Sequence, residues 1–455
     1  MLIYSSTKYI KILGGEKYMN RNLKRIASII MTVAIVSTGL IGCGNSASQA
    51  SGGAASGKTK LTLWHIQTST AADAIKASVK RFMTDNPQYD VEVVDQVNDT
   101  YKQKLAMAMS SNQTPDVFIQ WGGSGLIDYV NSKKIADLTD FMNKDNYKDK
   151  FIDAGINQCS YNGKIYAVPV ENVSVAGFFY NKDVFAKYGI QEPKTISELE
   201  AACDKLKANG VTPFALANAT KWTGSMYFMY LATRFGGLNA FADAASGKGK
   251  FENPAFEFAG NKIQDWVKKG YFIDGFNGMD DDSGQARQAL YKGDAAMDLM
   301  GSWFTGTVLG ENPDFMSKLG FFPFPALDGS KEDQSLCAGT VGDNLYSISE
   351  TCKDKEGAFK LIQYLLDDQA LQDRKKLGKI IPLKSFKPDD ALTQKILDTV
   401  NQAKGVQLWY DQYLPAEVAE VHKSTCQEIF GLTKTPQDAD KELQAAMDAY
   451  KAKNK

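Results

Sequence analysis

From Leu61 to Ile119 the hydrophobic pattern changes period with every segment, and this alternation constrains the fold more than any other feature. LTLWHI (61–66) repeats every two residues and reads as a strand. Residues 71–85 read as a helix, which must stop near Asn86-Pro87. VEVVDQV (91–97) is a second strand, YKQKLAMAMSSN (101–112) a helix, and Pro115–Ile119 a third strand. Alternating strands and helices predict an α/β sheet covered on both faces.

Further along, IYAVPV and VAGFFYNKDVF follow Tyr161-Asn162-Gly163-Lys164. TISELEAACDKLKANG then opens a helix. Thr195 and Glu198 form a capping-box pattern, and Gly210 suits the far end. Ile196, Leu199, Cys203 and Leu206 share one face, so Cys203 reads as core. Helical patterns continue through SGQARQALYKGDAAMDLM. LGFFPFP and DNLYSIS read as strands, and the chain from about Lys353 is mostly helical. Asp280-Asp281-Asp282 lacks the spaced pattern of a calcium loop. It reads as a helix start, with Asp282 or Ser283 as cap.

Ahead of all this, Arg21, Lys24 and Arg25 precede an uncharged apolar run from Ile26 to Gly42, which stops at Cys43. The run is short for a permanent span. A positive start, a short apolar core and small residues at the end describe a secretory signal. Leu40-Ile41-Gly42-Cys43 resembles the bacterial lipobox, in which the cysteine is lipidated and becomes the new N-terminus. Residues 1–42 are therefore expected to be a signal peptide, with Met19 read as its start. Residues 43–59 are expected to be a lipidated Cys43 followed by a flexible Gly/Ser/Ala tether.

Residues 1–42 hold six basic and one acidic side chain of the chain's 52 and 53, leaving 46 against 52. An exported protein of net charge about −6 is a poor nucleic-acid binder. The length after Cys43 suits two or more domains. Five further cysteines (Cys159, Cys203, Cys337, Cys352, Cys426) are odd in number and show no CxxC spacing. That argues against a disulfide framework or a zinc site. His65 and His422 are the two histidines, little material for a triad or a metal centre. No cofactor is expected.

Six stretches in one order resemble a known family: DVFIQWGGSGLIDYV (116–130), YNGKIYAVPVE (161–171), GFFYNKDVFAKYGI (177–190), KGDAAMDLMGSWF (292–304), LGFFPFP (319–325) and LWYDQYL (408–414). Together they resemble the extracellular solute-binding proteins (family 1) of carbohydrate ABC importers, related to maltose-binding protein. The resemblance implies a two-lobed, periplasmic-binding-protein-like α/β fold, with mixed sheets, flanking helices and a hinge of crossing segments. The expected lobes are 60–168 plus 326–347 and 171–320 plus 352–455. The expected crossings lie near 168–171, 321–325 and 347–351. It also implies a monomeric, lipid-anchored receptor on the outer face of the cell membrane. Such a receptor binds a sugar, here expected to be an oligosaccharide, and delivers it to permease subunits.

Sugar recognition needs aromatic faces for the C–H surfaces of pyranose rings, and charged or amide groups for the hydroxyls. Trp303 in MGSW and Trp409 in LWYDQYL match stacking positions of the family. Asp411 is a hydroxyl acceptor or a helix cap. Trp222 sits among small polar residues in an apparent loop. Glu171 and Asn172 follow the first crossing. Gln67 and the pair Gln120 and Trp121 follow strands, where α/β sheets present ligand groups. Asp343 precedes a strand near the hinge. Trp266 and Trp64 read as core.

Three other readings remain open, one of them a sensor that passes the closed state to a signalling protein instead of a permease. A membrane-anchored glycoside hydrolase would need two carboxylates across the scissile bond, for which Glu171, Asp343 and Asp411 are available. A polyamine or peptide receptor would need a different balance of charge.

Overall fold

The structure is a computed structural model and describes residues 57–453. Cys43 and most of the expected tether, like the signal segment, lie outside the described residues. Among the described residues, no helix is long and apolar enough to cross a membrane.

Eleven strands are described. The first three, β1 (Thr59–His65), β2 (Tyr89–Asp95) and β3 (Val117–Gln120), are joined by helices Ser69–Asp85 and Asn98–Ser111. They lie close to the sequence reading. β2 and β3 flank β1, both parallel to it. A short pair, β4 (Ser160–Tyr161) and β5 (Lys164–Ile165), precedes β6 (Val168–Asn181). All fourteen residues of β6 are buried, as expected for a strand covered on both faces. β7 (Thr212–Phe214), β8 (Ala295–Gly301), β9 (Leu319–Phe322), β10 (Cys337–Ile348) and β11 (Val406–Gln407) complete the set. The sheet path runs β2-β1-β3-β10-β6-β8-β7, with β9 added to β6 and β11 to β10.

Two separate cores lie along this path and define two lobes. Leu63, Phe118, Val168, Val170, Leu345 and Ile348 belong to the first. Val173, Phe178, Met297, Phe322 and Ala338 belong to the second. β6 and β10 run antiparallel through both, and their register breaks between Val341 and Leu345. At that break Asn172 adopts a left-handed φ of 58°, a conformation uncommon for a non-glycine residue. A third link runs from Leu365 in the first core to Ile380 in the second through helix Asp368–Lys376.

The crossings differ from the expected ones. Phe321, Phe322 and Phe324 all sit in the second core, because β9 pairs with the second-lobe half of β6. Ser347 and Ile348 pair with β3 in the first lobe. Ala358, Leu361 and Ile362 pack in the first core, although 352–455 was expected wholly in the second lobe. The amphipathic pattern of their helix is legible in sequence, but which of two cores it covers is not.

Local chemistry accounts for the helix starts. Thr195 accepts from the backbone N–H of Glu198 at 3.2 Å. Glu198 itself accepts from the N–H of Lys194, one residue upstream of the box. Cys203 is fully buried and Gly210 has φ +74°. The expected cap at Asp282 or Ser283 is not formed. Helix Gln285–Lys292 starts after Gly284, without a side-chain cap.

Candidate functional site

A cleft of about 370 Å³ opens between the lobes. The first-lobe wall comes from residues just after its parallel strands: Gln67 after β1, Asn98 and Lys102 after β2, and Trp121 after β3. Parallel sheets present ligand-facing groups at their carboxyl ends. The second-lobe wall carries Trp222, Trp303 and Trp409, with Met226, Met229 and Met300 between them. Asn172, Asp343, Asn344 and Lys379, from the linking segments, form the floor.

The three tryptophans share a structural cause. Trp222 is the first residue of helix Trp222–Ser246, where a loop was expected. Trp303 precedes helix Phe304–Glu311 and Trp409 precedes helix Tyr410–Tyr413. Each ring therefore stands where a helix begins, beside the cleft. Trp303 lies 6.0 Å from Trp222 and 6.0 Å from Trp409, both edge to face. Such pairs hold rings in fixed orientation. The ring of Trp303 also passes where a side chain at Gly301 would stand. Opposite them, Trp121 packs on Tyr101, with the Lys102 ammonium 4.9 Å from its ring centre.

Eight of the ten expected ligand residues line this cleft: Gln67, Trp121, Asn172, Trp222, Trp303, Asp343, Trp409 and Asp411. Glu171 and Gln120 do not. Glu171 and Asn172 are neighbours on one strand, and their side chains part at the break. Glu171 is buried in the hinge, bonded to Gln67, Asn344 and Arg374. Gln120 closes β3 and donates to Ser347 at 3.2 Å. Lys379 and Asn344 were missed. In RKKLGKII, Lys379 looks like any loop lysine.

Asp343 is committed within the protein, since Oδ2 accepts from Ser174 at 2.9 Å and Oδ1 from Gln412 at 3.3 Å. Its burial still raises the carboxyl above the ordinary range. Burial would raise Glu171 too, but Arg374, Lys379 and Asn344 outweigh it and hold the carboxyl below its ordinary range. Among the described residues the Asp411 carboxylate has no hydrogen-bond partner, and it lines the cleft. Towards the mouth, Asp99 of the first lobe and Asp280 and Asp282 of the second bring carboxylate oxygens within 4.8 Å of one another. Burial, more than this mutual repulsion, raises Asp99 and Asp282.

The sequence profile of bacterial extracellular solute-binding proteins matches residues 68–372. The chain belongs to this family. Among relatives of this solute-binding protein, the multiple sugar-binding protein of Streptococcus mutans is 27% identical over 329 residues. The match covers 69% of this chain and 73% of that one. A solved structure described in work on xylan utilization by the thermophilic bacterium Caldanaerobius polysaccharolyticus is 30% identical, with a TM-score of 0.80. It covers 85% of this chain and 99% of that one. A chitin oligosaccharide binding protein is 26% identical with a TM-score of 0.79, over 86% of this chain and 98% of that one. Trp222, Trp303 and Trp409 of the solute-binding protein described here are thus set in a fold shared along nearly the whole described chain.

Proposed function

We propose that this solute-binding protein encloses a neutral oligosaccharide between its lobes and delivers it to the permease of an ABC importer. It does so from the outer face of the cell membrane, held there by lipid on Cys43. The observation that carries the reading is the tryptophan wall. Three rings in edge-to-face contact offer several pyranose faces a surface, beside the unengaged acceptor Asp411 and the amide of Asn172. The Streptococcus mutans and chitin oligosaccharide relatives support a sugar. The relative from a study of xylan utilization puts β-xylosides first among the candidates.

A binding role fits the carboxylates better than hydrolysis does. Of the three considered for a hydrolytic pair, Glu171 and Asp343 are engaged by protein donors. Asp411 alone is left open. The acidic triplet at the mouth favours one second reading, a cationic solute such as a polyamine.

Calorimetric titration of residues 58–455 tests both, with xylotriose, chitotriose, raffinose, maltotriose and spermidine. Tight binding of one sugar class, with the sugar recovered intact, is the expected result. Binding of spermidine alone, or release of shortened sugar, overturns it. For the anchor, full-length protein should partition with membranes and Cys43→Ser should not.

A further inference from the structure

The polar cluster beneath the tryptophan wall is organised by one carboxylate. Glu171 is 2% exposed. Its Oε2 accepts from Gln67 Nε2 at 2.7 Å and from Asn344 Nδ2 at 3.3 Å, and its Oε1 from Arg374 Nε at 3.4 Å. Glu171 lies on β6, Asn344 on β10 and Arg374 on the third link, so one carboxylate joins all three segments that connect the lobes. Gln67 passes the contact on, its Oε1 accepting from Lys379 Nζ at 3.2 Å.

Lys379 is 7% exposed and lines the cleft. Among the described residues, Gln67 is the one hydrogen-bond acceptor of the Lys379 ammonium. An ammonium carries three donors, and a buried one left short of acceptors is costly. Two of its donors are therefore open on the cleft side.

We propose that Lys379 donates to an oxygen of the bound sugar, and that Glu171 is the positioning residue that aims Lys379 through Gln67 and ties that contact to the three interlobe segments. The first half rests on the oligosaccharide reading above. The second does not.

Charge makes the link measurable. The charged groups facing Lys379 are Glu171 on β6, Arg374 on helix Asp368–Lys376 and Asp343 on β10. His65 on β1 faces Glu171 and is kept neutral by burial, which lowers its pKa to about 4. Burial lowers Lys379, and Glu171 opposes that. Glu171→Gln removes the largest opposing influence and leaves Asp343 alone against burial and Arg374, so Lys379 should lose its proton at lower pH in the variant.

The test uses lysine-labelled protein, with the Lys379 signal identified by its loss in Lys379→Met. Its NMR titration is compared in wild type and Glu171→Gln, and xylotriose and chitotriose affinities are measured from pH 6 to pH 10. The Lys379 titration should move to lower pH in Glu171→Gln. Sugar affinity should fall at least tenfold as Lys379 loses its proton, and that fall should come at lower pH in Glu171→Gln than in wild type. Lys379→Met should weaken binding at least tenfold at every pH. Should Glu171→Gln fail to fold, Gln67→Leu breaks the relay with the charges kept; it should weaken binding and, by taking an acceptor from the ammonium, move the Lys379 titration to lower pH. An unmoved Lys379 titration in Glu171→Gln, or unchanged affinity in folded Lys379→Met and Gln67→Leu, overturns the proposal. If wild type bound neither sugar, the oligosaccharide reading and the Lys379 contact would fall together, and the titration would still decide the Glu171 link.

Discussion

The ring of Trp303 meets that of Trp222 edge on, with centroids 6.0 Å apart and planes at 62°. Trp409 meets Trp303 from its other side at the same distance. Trp303 is thus the middle of the wall, and it alone touches both other rings. Trp303→Ala should weaken binding of whichever panel sugar binds wild type by at least tenfold, or ~1.4 kcal/mol. Trp303 is only part-buried, so the melting temperature should change little. Calorimetry and thermal melting read the two effects separately, and unchanged affinity would remove Trp303 from the site.

Gly301→Ala tests the same wall from behind. An added Cβ overlaps the Trp303 ring itself, so the ring must turn away from the position it now holds. No residue of the cleft lining is replaced by this change. Sugar affinity should nevertheless drop several-fold, and the tryptophan fluorescence should shift. An unaltered spectrum with full affinity would mean that the ring is held by something else.

The aromatic half of the cleft was legible because its signals are local. Trp303 and Trp409 were legible through the short stretches MGSW and LWYDQYL that resemble the family, although the run before Trp303 reads as helical in sequence and is strand β8, Ala295–Gly301, in the structure. The hinge was not legible, because adjacent residues on one strand point opposite ways and sequence does not say which way is in. Glu171 and Asn172 were read alike. The register break between Val341 and Leu345 sends only Asn172 to the cleft. Lys379 left no trace, since its meaning comes from Gln67, 312 positions away in the chain. The lobe assignment of residues 352–365 failed for the same reason, as an apolar helix face fits either core.

Arg234 shows how the second lobe holds an irregular segment. Its guanidinium is 2% exposed and donates to the carbonyls of Pro325, Phe324 and Leu336 at 2.9, 2.7 and 2.6 Å. It also lies 5.3 Å from the centre of the Tyr230 ring. Arg234→Met keeps much of the volume and leaves three carbonyls without donors, each costing about 1–3 kcal/mol. The expected loss is about 3 kcal/mol or more in denaturant unfolding, and Arg234→Lys should recover part of it. A loss under about 1 kcal/mol would mean that water replaces the guanidinium.

All five described cysteines are free and buried. Burial raises their thiols above the ordinary range, that of Cys337 to about 11, which suppresses the reactive thiolate. Residues 58–455 should therefore react negligibly with a thiol reagent when native, and release five equivalents on unfolding. Reductant should leave the melting temperature unchanged. Fewer than five thiols in the unfolded, unreduced protein would reveal a disulfide.

His422 allows a pH prediction with a defined sign. It is 2% exposed, with Nε2 2.7 Å from Ser225 Oγ. Burial, aided by Lys423, lowers its pKa to about 3. Between its ordinary value of 6.5 and about 3 the unfolded chain binds a proton there and the folded chain does not. This contribution to stability is present above 6.5 and is lost as the pH falls, by about 1.4 kcal/mol per unit. Asp281 works the other way, because burial raises it to about 7 and the folded state holds its proton first. The raw pH curve mixes both signs, so the comparison must be with His422→Gln, which keeps a partner for Ser225 and does not titrate. Between pH 6.5 and 4.5 the stability of wild type relative to that variant should fall with a slope near this value. A constant difference between the two would mean that His422 is protonated in the folded protein.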